Sequence, residues 1–312
     1  MIYALGHRTT YTYEDPVTFA RCVLRLTPQS SATQTVLKIA INVTPRPSSS
    51  VAGTGPFGEK TLTVIIDRPH SELVIESRSR VDVHAPAAGD PAASEPWERI
   101  RASALASTAL GPEGPAAYLY PTRRTPDTPA ITEYARASFT PGRPIVVAAA
   151  ELMTRMFTDF IYDPEATTVS TAAPEAFAAR HGVCQDFAHI MIAGLKGLGL
   201  PAAYVSGYLR TIPAPGQPRL EGADATHAWV SLWCGDGAGW VGLDPTNDVL
   251  VENDHIVLAV GRDYSDIAPI DGVILAPGVQ KLKVEVDVVP DEALADPTLG
   301  GSRRQAAGTG RS

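Results

Sequence analysis

The spacing of apolar residues changes character along the chain. Up to about residue 85 it favours strands. Thr10, Thr12, Val17, Val23, Leu24 and Leu26 precede VLKIAINV (36–43), TLTVIIDR (61–68) and ELVIESRSRVDV (72–83). These stretches are rich in β-branched residues and are split by turn clusters at Thr44-Pro45-Arg46-Pro47-Ser48 and Asp67-Arg68-Pro69. They predict an antiparallel β-sandwich. The stretch 85–129 is rich in proline and alanine and carries one short helix, from Trp97 to Leu110.

From about residue 142 the period becomes helical. Val147, Leu152, Met156, Phe157 and Phe160 share a broad face of a helix over Pro144–Tyr162. A second helix starts at Pro174, since proline suits the first helical position. After Gly182 a third begins near Val183. Its stripe of Val183, Phe187, Ile190, Met191, Gly194, Leu195 and Leu198 predicts burial along its whole length. Strands follow at Ala202–Leu209, Thr226–Trp233 and Trp240–Asp244, and KLKVEVDVV (281–289) alternates as a half-buried strand. The fold class expected is α+β. Its divisions are a β-rich domain over 1–110, a connector over 111–141, a second domain over 142–290 and a disordered tail over 291–312. No internal repeat is visible.

Composition narrows the function classes. The chain has 312 residues, 44% hydrophobic and 19% charged, a globular composition. Its 26 glycines and 27 prolines imply many turns. A formal charge of −8 argues against nucleic-acid and anionic-membrane partners, which are held mainly by lysine and arginine. The N-terminus MIYALGHRTTYTYEDP lacks the pattern of a signal peptide, and no apolar run approaches the roughly 20 residues of a membrane span. A cytoplasmic protein with reduced thiols is expected. The sequon Asn42-Val43-Thr44 is then a chance match.

Three cysteines, Cys22, Cys184 and Cys234, are too few for a disulfide framework or an all-cysteine zinc site. Cys184 falls in the first turn of the third helix, at the edge of its buried stripe. Backbone N–H groups and the positive end of the helix dipole favour a thiolate there. A small buried hydrophobe is the other reading of a lone cysteine. In the hairpin, pairing the apolar faces sets Leu232 opposite Val241 and Val230 opposite Leu243. Asp244 then lies opposite Trp229 and diagonal to His227, on the same face, within reach of a carboxylate–imidazole hydrogen bond. A slip of one residue would bury the wrong face. A cysteine at a helix N-terminus and a carboxylate-oriented histidine are the parts of a thiol nucleophile site.

GVCQDFAHIMIAGLKGLGLPAAYVSGYL (182–209), DATHAWVSLW (224–233) and GWVGLDPTND (239–248) together resemble the core of the transglutaminase-like superfamily of papain-type folds, in its bacterial branch. GHRTTYTYEDPVTFARCVLRLTPQ resembles the β-domain preceding that core in bacterial members, and GRDYSDIAPIDGV (261–273) the segment after it. The likeness spans nearly the whole chain except the tail. It implies a papain-like core in which Cys184 is the nucleophile, His227 the base and Asp244 the orienting acid. The activity implied is a cysteine peptidase or amidase working through an acyl-thioester on a peptide, protein or amide substrate. Protein-glutamine transglutaminase activity, with an amine acceptor, and a non-catalytic binding module are the alternatives. Gln185 stands where many relatives have arginine.

Other features surround this centre. The backbone N–H of Cys184 is the first candidate oxyanion donor. Gln185, Asp186 and Trp229 are candidates to touch substrate or to support the three residues. Asp186 is either such a support or a charge at the helix N-terminus, and Trp229 either walls the site or packs. His189 lies about 140° round the helix from Cys184 and reads as structural. Cys22 and Cys234 read as inert, and His7, His70, His84, His181 and His255 show no partner spacing. Gly53–Gly58 spells G-x-G-x-x-G, but it precedes a strand and Pro56 interrupts it, so a phosphate site is not expected. Asp244, Asn247, Asp248, Glu252 and Asp254 fit no calcium loop. Cys184, His227 and Asp244 could also hold zinc with one position open. No cofactor or metal is expected.

Overall fold

The structure, a computed structural model, describes residues 1–84, 89–211, 225–275 and 278–291. Residues 292–312 of the expected tail and Asp224 of the hairpin motif lie outside the described residues.

The first part is built from β1 (Ile2–Val17), β2 (Phe19–Leu24), β3 (Gln34–Thr44), β4 (Ser49–Thr54), β5 (Lys60–Ile66) and β6 (His70–Val83). Next come α1 (Trp97–Ala106), α2 (Pro129–Arg136), α3 (Ile145–Asp159), the short β7 (Ile161–Tyr162), α4 (Ala173–Ala179), β8 (His181–Gly182) and α5 (Cys184–Gly197). The chain continues through β9 (Ala202–Leu209), β10 (Ala225–Trp233), β11 (Trp240–Asp244), β12 (Val249–Leu250), β13 (His255–Gly261), α6 (Tyr264–Ile267), β14 (Ile270–Leu275) and β15 (Gln280–Pro290). The α+β class expected from sequence is what the chain adopts.

Two four-stranded antiparallel sheets, ordered β15-β1-β6-β3 and β14-β2-β5-β4, face one another across a core. That core includes Tyr13, Val17, Cys22, Leu24, Leu26, Val64, Ile66, Leu73 and Ile75. Alternation along β1 and β6 puts Tyr13, Leu73 and Ile75 into this layer, while Tyr3, Leu5, Val81 and Val83, farther along the same strands, belong to another cluster.

The C-terminal strands do not belong to the helical half. β15 pairs with β1 from Tyr3↔Pro290 to Tyr13↔Gln280, and β14 pairs with β2 from Leu24↔Ile270 to Phe19↔Leu275. The expectation of 142–290 as one unit is corrected in this respect. Period-two alternation announces a strand but not its partner, and both strands return to complete the N-terminal sheets. Two further differences concern helices. Trp97, Ile100 and Ala104 of α1, expected within 1–110, pack in the helical core, and α2 rises from the expected connector to join them through Ile131 and Ala135. α3 ends at Asp159, which leaves Phe157 on its outer side, 51% exposed, while Phe160 turns in.

The second half is organised around α5, buried from Gln185 to Lys196. Its stripe packs on Ala228, Val230 and Leu232 of β10 within one core. The sheet carrying β10 is ordered β12-β11-β10-β9-β13. A third cluster joins the halves: Tyr3, Leu5, Val81, Val83, Val286 and Val288 from the sandwich meet Tyr208, Ile256 and Leu258 from this sheet. At the same seam Gln34, 1% exposed, closes both backbone groups of Val257 in β13. Its Nε2 donates to the carbonyl at 2.9 Å and its Oε1 accepts from the N–H at 2.9 Å. β13 is irregular there, with a register shift between Val257 and Ala259, so the side chain substitutes for a strand neighbour. Among the described residues no helix is long and apolar enough to cross a membrane.

Candidate active site

The N-terminus of α5 places Cys184. Val183 is the N-cap, and Asp186 reaches back so that its Oδ2 accepts the Val183 N–H at 2.9 Å and the Thr167 hydroxyl at 2.6 Å. An acidic side chain at the third helical position satisfies an orphan donor and suits the dipole. A Cβ on Gly182 would lie 2.7 Å from that carboxylate oxygen, so the approach to the helix needs a glycine. Asp186 is 1% exposed, and burial pushes its carboxyl up, against the two hydrogen bonds that lower it. Cys184 itself stays partly accessible. Helix geometry leaves its N–H without an intrahelical acceptor.

The hairpin takes the register that its apolar faces dictate, Val230↔Leu243 and Leu232↔Val241. His227 and Asp244 consequently meet, with Nε2 of the ring donating to Oδ2 at 2.8 Å. Both are buried. Burial alone would lower the imidazole. The hydrogen bonds to Asp244 and Cys184 and the charges behind them outweigh it and lift His227 to about 9. Asp244 responds in the opposite sense: burial would raise it, but its hydrogen bonds from His227, His255 and Asn247 hold it well below the usual carboxylate range. With Nε2 spent on Asp244, Nδ1 is the ring nitrogen left for the thiol. The helix end and the hairpin therefore converge, which spacing along the chain could not show.

The neighbours sort themselves by contact. Gln185 is buried and its Nε2 donates to the Val169 carbonyl at 3.3 Å, tying the helix start to the preceding loop. Trp229 is 1% exposed and packs between two imidazoles, with ring centroids 6.1 Å from His227 and 5.1 Å from His255. His189 is buried against Tyr204, and its Nε2 accepts the Tyr264 N–H at 3.2 Å. The other two thiols are sealed in. Burial pushes Cys22 up, and Cys234 up to about 12.

Two residues escaped the reading by spacing. Asn247 donates its Nδ2 to Asp244 Oδ2 at 2.7 Å, while Asp244 Oδ1 accepts the N–H groups of Thr246 at 3.0 Å and Asn247 at 3.3 Å. Asp-Pro-Thr-Asn is an aspartate-capped turn, and that turn chemistry is the signal that could have found it. His255 has no partner by spacing, yet its Nε2 donates to the same Oδ2 at 3.0 Å. No local pattern carries that contact, because β10 and β9 separate the strand of Asp244 from that of His255 in sheet order.

His227, Asp244 and His255 offer three ligand atoms within 4.8 Å of one another, enough in number for a metal ion. The donor set fits hydrogen bonding better. Both Nε2 atoms already face one acceptor-only oxygen, and Nδ1 of His255 is buried with no acceptor to receive the N–H that a metal-bound imidazole would present there. The acidic residues after the hairpin do not converge: Asp248 accepts from Thr154 and Asp254 from Tyr3 and Arg210.

Comparison with known proteins fits this geometry. Residues 3–82 match the family described as the bacterial transglutaminase-like N-terminal region, and residues 133–245, which contain Cys184, His227 and Asp244, match the transglutaminase-like superfamily. An uncharacterized protein of Mycobacterium tuberculosis is 41% identical over 297 residues, 93% of either chain. A protein-glutamine gamma-glutamyltransferase of Pseudomonas aeruginosa is 33% identical over 110 residues, 32% of this chain and 16% of its own. In fold, the chain is similar to a crystal structure described as "a Putative Cysteine Protease" from Cytophaga hutchinsonii. The TM-score is 0.72 at 18% identity, covering 93% of this chain and 91% of that one.

Proposed function

The chain belongs to the transglutaminase-like superfamily, with the bacterial N-terminal region ahead of its core, and from that premise we propose that it is a cysteine hydrolase cleaving an amide or peptide bond. The observation that carries the proposal is the imidazole of His227, fixed by Asp244 at 2.8 Å and raised to about 9 by Asp244 and Cys184. Such a ring stays charged near neutral pH and stabilises a thiolate beside it.

Chemistry follows from the placement. Cys184 Sγ attacks the carbonyl carbon, and the oxygen that gains the negative charge is met by the free N–H at the helix start. His227 passes its proton to the leaving nitrogen, the C–N bond breaks and an acyl-thioester remains. Water, giving a proton back to His227, attacks the thioester and restores the thiolate. Asp244 keeps the ring oriented through both halves. An amine in place of water would give acyl transfer instead, a reading favoured by the likeness to the gamma-glutamyltransferase over 110 residues.

Iodoacetamide is expected to label Cys184 far faster at pH 6 to 7 than the buried Cys22 and Cys234, and His227→Ala to slow the labelling of Cys184 at that pH. Equal labelling of all three thiols in the folded protein would end the proposal. Given a turned-over amide, excess primary amine separates the two readings: hydrolysis predominates if water is the acceptor, and amine incorporation outrunning it would favour transfer.

A further inference from the structure

We infer that His255 is a positioning residue of the thiol site: it holds the carboxylate that holds His227. The inference rests on the thiol-site reading above and extends it by one residue.

Asp244 Oδ2 receives three donors, His227 Nε2 at 2.8 Å, His255 Nε2 at 3.0 Å and Asn247 Nδ2 at 2.7 Å. Asp244 is ionised and accepts only, so Nε2 of His255 carries the hydrogen between them. Nδ1 is buried without a hydrogen-bond partner among the described residues. Donation to Asp244 is thereby the one polar contact of the His255 ring. A carboxylate fixed only at Oδ1, by the turn N–H groups, still pivots about that oxygen. Donors on Oδ2 stop the pivot and keep it aimed at His227.

The supports of His255 are themselves fixed. Trp229 meets its ring edge-on at an interplanar angle of 75°. Its strand is closed by Gln34 through Val257, and Asp254 just before it accepts from Tyr3 at 2.8 Å. Among the described residues the titratable groups in contact with the cluster are His227 and Asp244, with the Cys184 thiol hydrogen-bonded to His227; Glu252 accepts the His255 N–H on its carbonyl, and Asp254 is held by Tyr3 and Arg210. A continuous set of contacts thus runs from the N-terminal sandwich through His255 and Asp244 to His227.

The test compares His255→Gln, whose amide nitrogen can fall where Nε2 lies, with His255→Phe, which keeps the ring bulk and loses the donor. Alkylation of Cys184 by iodoacetamide is followed from pH 6 to pH 10, with the melting temperature of each variant. Loosening Asp244 lets the His227 imidazolium drift from the thiolate, so less thiolate is paired at low pH. Labelling by the phenylalanine variant at pH 6 to 7 should fall roughly tenfold, a weakening of the ion pair by about 1.4 kcal/mol. It should match wild type at pH 10, where the charge on the histidine no longer decides the rate. The glutamine variant should recover most of the low-pH rate. A phenylalanine variant with a wild-type profile, or a rate lowered equally at all pH values in both variants, would overturn the inference. Selective labelling in wild type without a His255 effect would refute this proposal alone. Absence of selective labelling in wild type would refute the thiol site itself.

Discussion

At the scale of residues, the site is an exchange of one charge. His227 is raised to about 9 because Asp244 and Cys184 supply negative charge and hydrogen-bond acceptors, and Asp244 is lowered by the same contact seen from the other side. These are one interaction and contribute once. The sign for stability follows from the histidine. Its folded value lies above the unfolded value of about 6.5, so the stabilisation is complete below that pH and is lost as pH rises towards 9. Asp244 stays ionised across this window. The melting temperature should therefore fall between pH 6.5 and 9.5 in wild type, and by less in His227→Gln. Equal slopes in the two proteins would show that the pair adds no stability.

At the scale of elements, close approaches decide what the side chains can do. Trp229 reaches its position because the strand beside it, β9, has no side chain at Gly207. A Cβ there would sit 2.5 Å from the indole and 2.2 Å from the Ile256 carbonyl oxygen. Gly207→Ala should cost about 1–3 kcal/mol, the usual penalty of overpacking, read as a lower urea midpoint. It should also disturb Trp229 and with it the contact to His255; an unchanged midpoint and tryptophan emission would contradict this packing account. α2 shows a related effect. Gly194 lets Ala135 approach so closely that a Cβ would lie 2.8 Å from it. α2 buries Ile131, Thr132 and Ala135 on one side, a face too short to stand out in a stretch rich in proline and alanine, and it packs on α5.

For the whole molecule, the two halves are bound by sequence ends as well as by surface. β14 and β15 come after the core and complete both N-terminal sheets, so the sandwich is drawn from both ends of the described chain and the helical half is inserted between them. Tyr208, Ile256 and Leu258 bury against the sandwich. Gln34→Ala would leave the N–H of Val257 without its partner and its carbonyl with the Gln29 N–H at 3.4 Å, at about 1–3 kcal/mol for a buried unsatisfied group. The expected result is a lower melting temperature and still a single calorimetric transition. Two separated transitions would mean that the halves unfold independently despite the shared strands.

The amino-acid sequence by itself determined the local elements and one decisive pairing. Strands β9 and β11 take the bounds read from their β-branched and aromatic residues, and α5 starts within a residue of its expected position. The His227–Asp244 contact was legible because strand side chains alternate with period two and only one register buries Val230, Leu232, Val241 and Leu243 together. Tertiary structure alone decided the rest: that the end of α5 meets the hairpin, that β14 and β15 return to the first sheets, and that His255 reaches Asp244 from another strand. These contacts join residues far apart along the chain or across intervening strands. Local periodicity carries no information about them, because they depend on how buried faces pack once the elements exist.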